Sequence, residues 1–232
     1  MINIKYFLLG FKSVKGIDSP ALALGASFIA IGALLRNLNF SLEQSLLSTL
    51  FTYALPGSLV MAESLLVGAS IINIFLAVWL VNARLYPMTV SLFPLLMHED
   101  QPKWKYYISC HFIAVSAWLI MKDKYQTIDK KNRIDFWIGI GTATWSIAIF
   151  STVIGYLASD YLTANMMIGL MIVNPIYFLC MMIGAIKTKA IGLSVILGST
   201  LGPIFYLFFP EWCILFGGLT AGTIAFFLGD NK

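Results

Sequence analysis

The stretch FTYALPGSLVMAESLLVGASIINIFLAVWLVNARLYPMTVSLFP, from Phe51 to Pro94, limits most tightly what this chain can become. It is apolar enough to lie in lipid, yet it contains a Pro-Gly pair, Glu63, Arg84 and two further prolines. Charges at bilayer depth are costly and rare, and they mark functional sites more often than structural ones. The whole sequence agrees with a lipid setting: 59% of its 232 residues are hydrophobic, 11% are charged, and the mean hydropathy is +0.84. Soluble domains carry about 25% charge. A bilayer core of ~30 Å takes ~20 apolar residues per helix, so the length suffices for seven or eight crossings and no separate soluble domain.

The sequence therefore predicts an all-α polytopic membrane protein forming one transmembrane transport domain over residues 1–232. Apolar runs bounded by charges or turn residues place eight helices, from about Pro20 to Leu35, Leu42 to Val67, Ile71 to Met97, Trp104 to Met121, Phe136 to Ala158, Leu162 to Ile186, Ala190 to Phe208 and Trp212 to Leu228. Ser41 with Gln44 three residues later is a capping box opening the second. Proline breaks are expected in the second, third and sixth, at Pro56, Pro87 and Asn174-Pro175. The tight Gly68-Ala69-Ser70 link leaves open a re-entrant hairpin, with seven crossings instead of eight. Residues 1–16 read as a short amphipathic helix at the membrane interface, with Lys5, Lys12 and Lys15 edging an apolar face.

Orientation follows from the basic residues. Lys5, Lys12, Lys15, Lys122, Lys124, Lys130, Lys131, Arg133, Lys187, Lys189 and Lys232 fall on one side, and Arg36, Lys103 and Lys105 on the other. Both termini and the basic loop 122–135 are thus expected in the cytoplasm, with the chain in a bacterial-type inner (plasma) membrane. The net charge of +4 sits in these short loops and does not suggest nucleic acid. Close helix packing is expected at Gly198/Gly202 and Gly218/Gly222.

Candidate binding residues follow from depth. At 1.5 Å per residue, Gly57 lies ~17 Å and Arg84 ~20 Å from the Gly68 turn, both near the bilayer middle. A half-helix starting at Pro56-Gly57 would direct unpaired N–H groups and a positive dipole end there. With Arg84 beside it, that is a seat for a carboxylate. Glu63, only ~7.5 Å from the turn, is too far in depth to pair with Arg84; it reads as an independent protonatable group. His111 is a second proton-coupling candidate. Trp79, Trp118, Trp137 and Trp145 read as packing or interface residues. Cys110, Cys180 and Cys213 have no metal or disulfide spacing. There is no phosphate loop, no H-E-x-x-H and no nucleophile beside a base, so neither an enzyme nor a resident cofactor or metal is indicated.

Ser41–Gln44, Tyr53-Ala54, Gly68-Ala69-Ser70, Asn82-x-Arg84 and Ser91-Leu92-Phe93-Pro94, with Trp137…Gly139…Gly141…Trp145…Gly155 later, resemble the AzlC family, the large subunits of branched-chain amino acid exporters. The match departs in three places. Ser58 stands where the family has Gln, Leu85 where it has His, and Ser116-Ala117 where it commonly has Asp-Glu. The resemblance implies a secondary exporter of small amino acids, working with a small AzlD-like membrane subunit. In that reading Arg84 and the break at Pro56-Gly57 hold the carboxylate, and Asn82 and Ser58 add hydrogen bonds. The alternatives are a non-transporting assembly subunit and a transporter of another small organic anion.

Overall fold

The computed structural model describes residues 2–15, 20–83, 85–184, 186, 189–208 and 213–229. Arg84, Lys187, Trp212 and Lys232 lie outside the described residues. Every regular element among those described is helical: α1 (Ile4–Lys12), α2 (Pro20–Asn37), α3 (Leu42–Thr52), α4 (Leu55–Leu66), α5 (Ile71–Asn82), α6 (Leu85–Leu96), α7 (Lys103–Ser109), α8 (Val115–Lys124), α9 (Arg133–Leu157), α10 (Ala164–Gly184), α11 (Lys189–Phe208) and α12 (Cys213–Leu228). By length and apolarity, α2, the run Lys130–Leu157 and α11 each qualify as a membrane crossing; α5 and α6 qualify together across a 44° bend. Two compact units divide the chain at Asn174.

In the first unit α9 is a 25-residue helix, ~37 Å long, and its contacts serve as a depth scale for the rest. At its start, the Asn3 backbone N–H donates to Asp135 (3.0 Å) and Tyr6 reaches Asp129 (3.5 Å). From there α1 runs alongside α9, with Gly10 against the Phe136 carbonyl and Gly139 against that of Phe7. Further along, α2 repeats the arrangement. Gly32 lies against the Thr152 carbonyl, and Gly155 against that of Ile29. Each crossing is reciprocal: a glycine on either helix admits the carbonyl three residues before the other glycine, so the backbones touch. Any side chain at these positions would occupy the carbonyl's space. At the far end of α9, Arg36 donates to Tyr156 O (3.0 Å) and pairs with Asp160 (2.7 Å).

Helices α3, α6, α7 and α8 also pack on α9, in an order the sequence did not reveal. Phe40 O accepts from the Tyr156 hydroxyl (3.0 Å), Thr49 bonds Thr152 (3.0 Å), and Leu50 O accepts from Trp145 Nε1 (3.4 Å). Thus α3 descends from the far end of α9 to its middle. Ser41 caps it with the expected capping box. The helix then stops at Tyr53, which is left-handed (φ 32°), and Ala54 is extended. The break therefore precedes Pro56 and Gly57, which sit in the first turn of α4, where proline's missing N–H costs nothing. The expected single helix Leu42–Val67, kinked at Pro56-Gly57, is two helices.

From the middle, α4 packs against α2 through the cluster containing Phe28, Ile31 and Leu35, which Leu55, Leu59 and Met61 join. Residues 71–96 then cover up to ~39 Å. They end where Leu95 O accepts from Arg133 Nη1 (3.1 Å), at the start of α9. The Gly68 turn therefore lies at the far end, and α3–α4 is a hairpin that enters from that end and returns to it. The third expected helix divides after Asn82 into α5 and α6. Pro87, the expected breaker, lies in the first turn of α6, just beyond the division, and Pro94 lies inside that helix.

A second hairpin enters from the opposite end. Lys105 pairs with Asp135 (2.6 Å), Gln101 donates to Lys131 O (2.7 Å), and Asp100 pairs with Lys131 (3.3 Å), all at the start of α9. Chain ascent along α9 is marked by Trp137 Nε1 donating to Ser109 O (3.3 Å) and by Phe112 lying against Gly141. A 3-10 turn at Cys110–Phe112 and extended Ala114 reverse the path. α8 then returns, so that Trp118 and Lys122 reach Ser91 (3.3 and 3.5 Å) and Ile128 O accepts from Arg133 Nε (3.0 Å). The segment Trp104 to Met121, expected as one crossing, starts and finishes at the same end. Lys103 and Lys105 accordingly join Lys131 and Arg133 rather than Arg36, and the Gly68 turn moves to the side opposite the one expected.

The second unit contains the antiparallel pair α11 and α12. Their close approach is Gly217 against Gly202 Cα, 3.2 Å from where a Cβ would stand. Gly198, Gly202, Gly218 and Gly222 have no atom of the described residues within 4 Å of that position, so the expected stripes are open and the contact falls on Gly217. Pro175 lies inside α10 rather than at a break.

Candidate functional site

The tips of the two hairpins meet at the middle of α9. The Tyr53 ring stacks on Phe28 (6.4 Å between centroids) and lies 6.1 Å from His111. His111 is in turn 6.0 Å from Trp145 and 5.9 Å from Phe112. Both returning arms, α4 and α8, thus begin at one aromatic cluster. Their N-cap residues are Ala54 and Ala114, neither of which can supply a side-chain cap. The first N–H groups of a helix have no partner within it, and they carry the positive end of the helix dipole. Two such ends therefore face a region without carboxylates among the residues that line the cluster.

The first turn of α4 contacts α5. A Cβ on Gly57 would stand 2.6 Å from Asn82 Nδ2 and 3.0 Å from Oδ1, so only glycine lets that amide approach the α4 backbone. The similar depths computed for the Pro56-Gly57 break and the Asn82–Arg84 region thus correspond to contact between Gly57 and Asn82. Asn82 Oδ1 is buried without a hydrogen-bond partner among the described residues, and so is the Ser58 hydroxyl, on a residue 1% exposed. Ser116, in the first turn of α8, is likewise 1% exposed, its hydroxyl unpartnered among the described residues. A buried, unsatisfied polar atom costs ~1–3 kcal/mol, so each is a place where a bound ligand would restore a lost bond.

The other expected residues are dispersed. Pro56 is half-buried next to Gly57. Glu63 is exposed, two turns further along α4 toward the Gly68 turn, with no ion-pair partner among the described residues. His111 lies at the hairpin tip; it touches rings, and no hydrogen bond to it occurs among the described residues. No group of three or more metal-ligating side chains occurs among the described residues. Sequence reasoning missed Tyr53, Trp145 and Ser116 as neighbours of this region. The signal available for Tyr53 was its position three residues before Pro56, next to the extended Ala54.

A helical chain with helices this long and apolar suits a membrane protein. Residues 19–162 match the family model described as AzlC protein, which covers more than half of the chain, and the protein belongs to this family. The family is associated with branched-chain amino acid transport and is not an enzyme family. The chain matches no curated protein and no solved structure.

Proposed function

We propose that the protein is a secondary transporter, driven without ATP hydrolysis, that exports small amino acids of the branched-chain or hydrophobic type. The reading rests on one observation: the first turn of α4 has no side-chain cap, and Ser58 Oγ and Asn82 Oδ1 are buried there without partners among the described residues. A carboxylate would accept from the free N–H groups of that turn and from Ser58, with Asn82 Nδ2 beside it. Arg84, two residues beyond Asn82, supplies the counter-charge. The ammonium of a zwitterion would donate to Asn82 Oδ1. Pro56 fixes the backbone of the turn, and Gly57 lets Asn82 approach. Glu63 and His111 are the groups proposed to couple proton movement to transport.

In the bilayer, α9 crosses fully, and the α3–α4 and α7–α8 hairpins enter from opposite faces. The end with Lys103, Lys105, Lys131 and Arg133 is cytoplasmic by charge, and the N-terminus lies there through Asn3. The membrane is the bacterial-type inner (plasma) membrane, and the working complex includes a small AzlD-like subunit.

The test is uptake of labelled leucine, and of a panel of amino acids and organic acids, by inside-out vesicles with and without an imposed proton gradient. Hydrogen bonds to a charged group contribute ~1.5–3 kcal/mol. Arg84→Ala and Asn82→Ala should therefore each lower transport by about tenfold or more, with the protein still inserted. Normal transport in Arg84→Ala sinks the carboxylate assignment.

A further inference from the structure

A cavity of about 850 Å³ opens at the end of the molecule where Lys105 pairs with Asp135. Phe93 and Tyr106, whose rings lie 6.4 Å apart, form its walls, and Cys110 lies at its inner end. Its mouth carries charges of both signs. Asp100 is already engaged by Lys131 (3.3 Å) and lies beside His98. Glu99, Lys103 and Lys130, which also line the mouth, form no ion pair among the described residues. Unpaired charges of opposite sign above aromatic walls suit a zwitterion with an apolar side chain. A second cavity of similar size, about 880 Å³, is lined mainly by α1, α2 and α9, with Lys15 as its one charged residue among those described, and offers no such match.

The depth of Cys110 gives this cavity a direction. Ser109 accepts from Trp137 and Phe112 lies against Gly141, so Cys110 stands four to eight residues up α9 from Arg133, ~6–12 Å inward. The next residue, His111, already touches the Tyr53 ring at the meeting point of the hairpins.

We propose that this cavity is the vestibule through which a small apolar zwitterion passes between the Lys131 end of the protein and the hairpin tips. It rests on the transport reading above and adds to it a route and a side.

The experiment uses the full chain carrying Cys180→Ser and Cys213→Ser, so that Cys110 is the remaining thiol, in sealed vesicles of each orientation. The probe is a charged, membrane-impermeant methanethiosulfonate. A second protein, with all three native cysteines replaced by serine and Lys131→Cys added, reports which face the mouth occupies. Cys110 should react from the same face as Lys131→Cys and not from the other. Saturating leucine should slow the reaction severalfold, and modification should lower leucine transport by more than tenfold relative to the same vesicles before treatment. Failure of Cys110 to react while Lys131→Cys reacts, or reaction from the opposite face, overturns the vestibule. So does unchanged transport after full modification. Arg84→Ala separates the two readings. If it transports normally while the Cys110 results hold, the carboxylate seat falls and the vestibule stands. If it is inactive while Cys110 is unreactive, only the vestibule falls.

Discussion

Lys105 and Asp135 allow the hairpin arrangement to be tested by energetics alone. Their side chains are 0% and 1% exposed and 2.6 Å apart; Lys105 also donates to Gln101 (2.8 Å), and Asp135 accepts from the Asn3 N–H. Removing one member of a buried pair strands the other charge, at a cost of ~3–5 kcal/mol. Replacing both by apolar groups of similar size is often neutral or stabilising. For a chain of this length each kcal/mol moves a melting midpoint by ~2–4 °C, so Lys105→Met or Asp135→Leu alone should lower it by ~6–20 °C. The double variant should recover most of that loss, a coupling of ~3 kcal/mol or more. The assay is thermal unfolding in detergent, read by loss of the monodisperse peak in fluorescence-detected chromatography. If residues 104–121 instead formed one crossing, the two residues would lie on opposite faces and their effects would add within ~0.5 kcal/mol. Simple additivity would refute the hairpin.

At the α2–α9 crossing, Gly155→Ala places a methyl within contact of the Ile29 carbonyl, and should cost at least the ~1–3 kcal/mol of overpacking. Gly218→Ala, with nothing among the described residues within 4 Å, should be silent in the same melting assay. Ser41→Ala removes a capping box and should cost ~1 kcal/mol, measurable as a shift of a few degrees.

The long crossings were legible because each is an apolar run ended by charges. The expected Phe136–Ala158 is α9 to within three residues at either end, and the expected Ala190–Phe208 is α11 to within one. The hairpins were not, because two half-length arms joined by apolar residues have the same composition as one crossing. At their tips the reversals fall on Tyr53-Ala54 and Ile113-Ala114, which carry no glycine or proline; Pro56-Gly57 pointed three residues too late. One signal was present and went unused. Lys103 and Lys105 at the start of the fourth segment and Lys122 and Lys124 just after it have the same sign, which disfavours a crossing. For the site, depth arithmetic brought the Pro56-Gly57 break and the Asn82–Arg84 region to one level. It could not supply Tyr53 or Ser116, whose placement depends on which helix turns back. The glycine crossings join residues more than a hundred positions apart, and only the fold relates them.

The backbone contacts of α9 also impose an order on synthesis. Helices α1 and α2 leave the ribosome some hundred residues before the glycines that receive them. The arms of the second hairpin, of seven and ten residues, are each too short to be retained in a bilayer as an independent segment. Until α9 emerges, Lys105 lacks Asp135 and the tip has no wall to lean on. Insertion of α9 is thus the committing event of biogenesis, and the hairpins settle afterwards onto a helix already anchored at both faces. A ribosome-bound chain truncated before Arg133 should remain open to protease through residues 103–124, and one extended past Leu157 should be closed to it.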